Sequence, residues 1–171
     1  SGKLNPYDYL FVDNWPFIIT YFDNQIIPPS DKENLLNSFR VFVDSVNKES
    51  NGYATGYQAY EVWRRDLLDD KWYESNNDDQ FARRFSVNQF CSLALMDARK
   101  SAAVYLSDSS SLITEKDIIH LFEAIADKAM QIHKMLDSGE SLDGPKARNF
   151  WTKDMRCKQA QLLNELCELE H

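Results

Sequence analysis

The sequence predicts an all-α fold: a bundle of about five helices, with a short extended, β-like segment at its N-terminal side. Three observations carry this. Gly and Pro are scarce, at five each in 171 residues, which favours long helices over many short strands. Apolar residues recur at three- and four-residue spacing through most of the chain after Ser30. Several of those stretches open on residues that cap helices.

The segment before Ser30 is different. Tyr7, Tyr9 and Phe11 alternate with Asp8, Leu10 and Val12, Asp13-Asn14 supplies turn chemistry, and Phe17 to Phe22 is β-branched and aromatic. That pattern reads as a hairpin or two short extended pieces. Pro16 belongs at a strand start or an edge, because it cannot donate to a ladder. Pro28-Pro29 closes the segment.

The first helix begins at Ser30, where Ser30 and Glu33 form a capping-box signature, and carries Leu35, Leu36, Phe39, Phe42, Val43 and Val46 to a stop at Asn51-Gly52. The second begins at Thr55, with Gln58 three residues on, and carries Ala59, Tyr60, Trp63 and Leu67 to Asp69-Asp70. After the cap-rich loop Asn76 to Asp79, a short helix over Gln80–Phe85 runs into, or kinks before, a long one over Ser86–Leu106. Its stripe is Val87, Phe90, Cys91, Ala94, Ala98, Ala102 and Tyr105, with alanines that let a neighbour come close, so it reads as the buried central helix. Ser107 to Ser111 is a polar loop. Thr114 caps the fourth helix, which carries Ile118, Leu121, Phe122, Ile125, Ala129 and Ile132. Asp137 to Pro145 is a loop, and the fifth helix starts at Thr152 with Met155, Leu162, Leu163 and Leu166. The chain thus divides into an extended segment over 1–29 that packs on the bundle, the bundle over 30–168, and 169–171, which resembles residues left by a purification tag.

Composition narrows the function classes. The net charge is −8, and the basic residues are scattered, so the basic footprint of a nucleic-acid binder is missing. Anionic membranes are disfavoured for the same reason. No apolar run reaches the length of a membrane span. Cys91, Cys157 and Cys167 are odd in number and lack CxxC spacing, which reads as small core residues in a reducing, cytoplasmic setting.

The chemical constellations are sparse. His120, Glu123 and Asp127 share a helix face, but a carboxylate-bundle metal site wants Glu-x-x-His on two helices; a solvated face, with His133 judged alike, is the better account. Asp69, Asp70, Asp78 and Asp79 lack calcium-loop spacing and read as helix ends and caps. No metal or other cofactor is therefore expected. Asp97, among Ala94, Met96 and Ala98, reads as a buried carboxylate needing Arg64 or Arg99. The most informative stretch is Gly52 to Trp63. Gly56 in the first turn implies close approach by another backbone. Tyr57, Tyr60, Glu61 and Arg64 share a face, and Asn88, Ser92 and Arg99 of the long helix can oppose them. These seven form the expected ligand site, between the start of the second helix and the long helix, suited to a carboxylate or phosphate.

The pattern Gly52, Gly56-Tyr57, Ala59-Tyr60, Trp63 and Asp66-Leu67, followed by Asp97-Ala98-Arg99, Ala102 and Tyr105-Leu106, resembles the helical part of bacterial proteins similar to the butirosin-biosynthesis acyltransferase. That family joins a papain-like half, bearing a Cys/His site, to a helical segment. The resemblance spans Gly52 to Leu106 and includes no position for the family's nucleophile, so no catalytic residue carries over. It implies a non-catalytic accessory module of a larger bacterial protein. The expected partner is a small ligand, a sister domain upstream of residue 1, or a second copy, with the aromatic segment Tyr7 to Ile27 contributing to the interface. The alternatives are a small enzyme using Glu61 as base and an extracytoplasmic sensor domain.

Overall fold

A computed structural model describes residues 27–46, 54–74 and 77–171. The expected extended segment over Tyr7 to Phe22, and its role at an interface, lie outside the described residues. Within them every regular element is helical: α1 (Asp31–Val46), α2 (Gly56–Leu68), α3 (Asp70–Glu74), α4 (Asp78–Asp108), a 3-10 turn (Ser110–Leu112), α5 (Asp117–Leu136), α6 (Gly144–Phe150) and α7 (Lys153–Glu170). None of these helices is long and apolar enough to cross a membrane.

Caps explain most boundaries. The Glu33 carboxylate accepts from the Ser30 backbone N–H at 2.8 Å, and Ser30 Oγ accepts from the Glu33 N–H at 3.3 Å, the reciprocal box that ties down α1. Asn77 and Gln80 form a second box, with contacts of 2.9 and 3.3 Å, and α4 then runs unbroken for 31 residues; of the two expected alternatives, the short helix runs into the long one. Thr152 caps α7 through the Met155 N–H at 3.3 Å. Thr55 holds the N-cap position of α2 but makes no side-chain capping bond. Thr114 does not cap α5, which starts later, at Asp117. Gly56 does what its position implied: its φ is +55°, and a Cβ there would lie 1.9 Å from the Val46 carbonyl oxygen, so α1 and α2 meet backbone to backbone.

Two helices escape the sequence reading. In α6, Asp143 accepts from the Lys146 N–H at 3.1 Å and Pro145 sits in the first turn; Gly144-Pro145 starts a helix there instead of prolonging a loop. Gly144 is buried, and a Cβ on it would strike the Asp78 backbone at 2.6 Å, which seats α6 on the start of α4. The single turn α3 follows α2 directly after Asp69.

The bundle is built on α4 against α5 and α6, and α7 against α2 and α5. Its main core gathers Tyr60, Leu67, Tyr73, Phe81, Phe85, Ile125, Ile132, Leu136, Trp151, Leu163 and Leu166. A satellite core of Leu35, Leu106 and Ile119 fixes α1 over the seam between α4 and α5, helped by Phe42 and Phe122, whose rings are 6.3 Å apart.

The central helix buries a face rotated by roughly a third of a turn from the one expected. Phe81, Phe85, Asn88, Ser92, Ala103 and Leu106 are buried, whereas Val87 and Phe90 are 62% and 69% exposed and Cys91, Ala94, Ala98 and Tyr105 are exposed as well. The reason is that Asn88 finds partners inside for both its side-chain nitrogen and its side-chain oxygen. Its side-chain N–H donates to Gln159 Oε1 at 3.1 Å, while its oxygen accepts from Gln159 Nε2 and from Trp63 Nε1, both at 2.9 Å. Trp151 Nε1 completes the chain by donating to Gln159 Oε1 at 3.2 Å. A reciprocally bonded amide pair of this kind is tolerated in a core that would reject a lone amide. Cys91 and Cys157 are likewise exposed, so they are not core cysteines, whereas Cys167 is half-buried and packs against the main core.

Candidate functional site

A cleft of 360 Å³ opens between α2 and α4. Ala59, Val62, Trp63 and Asp66 form its α2 wall, and Arg84, Val87, Asn88 and Cys91 its α4 wall, with Tyr73 and Trp151 at the base. One turn separates Ala59 from Val62 and Trp63, and another separates Arg84 from Val87 and Asn88, so each helix offers a continuous strip. The result is mainly apolar and aromatic walls with a few polar groups, in the volume range of small-molecule sites.

The base is held rigidly. Tyr73 packs edge-on against Trp151, with ring centres 5.2 Å apart. The Arg156 guanidinium lies over the same Tyr73 ring, 3.8 Å from its centre. Arg156 is itself buried and reaches Asp70 at 3.0 Å and the Leu67 carbonyl at 3.4 Å. Burial, the largest cause, raises the Tyr73 phenol above its ordinary pKa. Arg84 stacks over Trp72 at 4.0 Å, bringing a cation to the cleft's edge.

Asp70 anchors this base. A hydrogen bond from Lys153 is the largest influence lowering its pKa, with Arg156 adding to it. A carboxylate whose folded pKa is depressed contributes stability above its unfolded value, near 3.8, and loses it as pH falls through the folded value. Asp70→Asn is therefore expected to melt below wild type at pH 7, with the gap closing once the pH drops below 3.8. Thermal melts of both proteins across pH 2 to 7 check this; a gap that widens on acidification contradicts it.

The seven expected site residues do not converge on one point. Asn88 alone lines the cleft. Ser92 is fully buried and donates to the Gln89 carbonyl at 2.7 Å. Glu61 and Arg64 pair with each other at 2.9 Å, along a groove that, among the described residues, only α2 and Asp69 line. Tyr57, Tyr60 and Arg99 do meet, around Glu170. Asp97 is exposed and needs no buried partner; Arg99 is taken by Glu170 instead. Leu169 packs against the main core and Glu170 bonds to α2 and α4, while His171 is exposed.

The cleft residues missed from sequence are Val62, Asp66, Tyr73, Arg84, Val87 and Trp151. The helical spacing of Ala59, Val62, Trp63 and Asp66 was the available signal, since it marks one strip of α2. Elsewhere, His120 pairs with Glu123 at 3.1 Å on an exposed face, as a solvated helix face would. No group of three or more His, Cys, Asp and Glu side chains among the described residues is placed to hold a metal ion.

The class of protein these observations define is a helical bundle with an apolar interhelical cleft. Compared with protein-family models, curated proteins and solved structures, the chain matches none.

Proposed function

We propose that the chain is a non-catalytic helical module of a larger bacterial protein in the cytoplasm, and that it binds a flat, mainly apolar small molecule in the cleft between α2 and α4. The observation that carries this reading is the cleft itself: 360 Å³ between α2 and α4, with aromatic side chains at wall and base and Asn88, Asp66 and Arg84 among its polar groups. Pockets of bundles form in such places, between facing helices. The resemblance of Gly52 to Leu106 to the helical part of butirosin-acyltransferase-like proteins supports an accessory role. The enzyme alternative loses support because Glu61, its base, is exposed and engaged with Arg64 outside the cleft. A second reading, docking of a sister domain, draws support from the exposed Phe90 on α4 and the exposed Val87 of the cleft's α4 wall.

A thermal-shift screen of small planar compounds tests the ligand reading. Ala59→Phe fills the cleft from its α2 wall, so a compound that stabilises wild type is expected to lose its effect there. The same compound should retain its effect on Glu61→Ala/Arg64→Ala. Equal stabilisation of wild type and Ala59→Phe removes the cleft as the site.

A further inference from the structure

We propose that Arg99 and Tyr60 form a receptor for a short aliphatic carboxylate, a site that Glu170 fills from within the chain. It lies three turns along α4 from Asn88, about 16 Å away at the rise of an α-helix, and does not depend on the cleft.

The geometry is that of carboxylate recognition. Arg99 presents Nε to Glu170 Oε1 at 2.5 Å and Nη2 to Oε2 at 3.1 Å, the two-pronged arrangement a planar guanidinium offers a carboxylate. The Tyr60 hydroxyl donates to Glu170 Oε1 at 3.0 Å and accepts from Arg99 Nη2 at 3.1 Å. Burial, chiefly, pushes the Tyr60 phenol well above its ordinary pKa, so it stays a neutral donor. Burial alone would lower the Arg99 pKa, but its hydrogen bonds to Glu170 and the charge of that carboxylate outweigh that and raise it. Tyr57 donates to the Glu170 backbone carbonyl at 2.6 Å, and its ring lies 5.0 Å from the His171 ring.

Tyr60 on α2 and Arg99, well inside α4, hold the one carboxylate that α7 supplies, and Tyr57, one turn before Tyr60, holds its main-chain carbonyl. When the Glu170 side chain leaves, Arg99 is left partly buried without its counter-charge, an arrangement that favours capture of another anion. Two oxygens in one plane match the guanidinium edge, and the tyrosine hydroxyl supplies the third contact, so the chemistry selects a carboxylate on a slim chain.

Chemical rescue tests this on the full chain, with propionate as the probe. Glu170→Ala is expected to melt several degrees below wild type. Sodium propionate should restore the melting temperature along a saturable curve, beyond the effect of sodium chloride at matched ionic strength. The double variant Glu170→Ala/Arg99→Met should show no such recovery. Wild type should need at least tenfold more propionate for any shift, since Glu170 competes from within. In Glu170→Gln, which keeps the side-chain shape, the Arg99 Nε–H resonance should move on titration with propionate. Rescue no better than chloride with that resonance unmoved, or equal rescue of the double variant, overturns the proposal.

Discussion

Trp151→Ala is expected to lower the unfolding free energy by about 3–5 kcal/mol, the range for deleting a large buried aromatic. Trp151 is 1% exposed and is the hub of the aromatic core, with Tyr73, Phe81 and Phe85 ring centres at 5.2, 5.7 and 5.6 Å. It also closes α6, its backbone N–H donating to the Ala147 carbonyl at 2.8 Å, and its own carbonyl accepts from Arg156 at 3.4 Å. Truncation therefore opens a cavity where α4, α6 and α7 meet and removes one of the two hydrogen bonds that the Gln159 oxygen accepts. Trp151→Phe restores much of the packing but not the indole hydrogen bond, so it should lose about half as much or less. Urea titrations of the three proteins measure the difference; a Trp151→Ala loss under about 1 kcal/mol contradicts a well-packed core at this point.

Asn88→Leu is expected to cost about 2–4 kcal/mol, although it places an apolar residue at a buried position. The substitution leaves the Trp63 indole N–H and half of the Gln159 amide without partners, and an unsatisfied buried group costs about 1–3 kcal/mol. Double-mutant analysis makes the point sharper. Asn88→Leu/Gln159→Leu removes both amides, so its loss should fall short of the sum of the single losses by about 1 kcal/mol or more. Strict additivity in urea titrations would mean that the two amides act independently, against their reciprocal bonds of 3.1 and 2.9 Å.

This amide pair also shows where sequence reading stops. The fold class, the box at Ser30, the cap at Thr152 and the close approach at Gly56 are local chemistry and were legible. The buried face of α4 was not. Its apolar stripe through Val87, Phe90, Cys91 and Ala94 follows helical spacing as well as any core stripe. Asn88 turns inward because its partner, Gln159, stands 71 residues away, and no local window contains that information. Arg156 is a parallel case: a buried cation made tolerable by Asp70, the Leu67 carbonyl and the Tyr73 ring. The start of α6 was readable in principle, since Asp143 followed by Gly144-Pro145 has the order of cap and first turn; two breakers in a row suggested a loop instead. For the site, the pair of helices was legible and the residues mostly were not. The aromatic start of α2 does oppose the long helix, but helix rotation sends Glu61 and Arg64 outward and Tyr57 and Tyr60 to Glu170, leaving Trp63 and Ala59 to wall the cleft.

The assignment of ligand binding to the cleft between α2 and α4 is tested most directly by nuclear magnetic resonance of the tryptophan indoles. Trp63 Nε1 donates to Asn88 Oδ1 at the cleft wall, and Trp151 Nε1 donates to Gln159 Oε1 at its base. A compound selected by thermal shift should move both indole N–H resonances, with a midpoint matching its stabilisation of wild type. The Arg99 Nε–H, at the separate carboxylate site, should stay in place. Binding that leaves the Trp63 and Trp151 indole resonances unmoved would contradict the account.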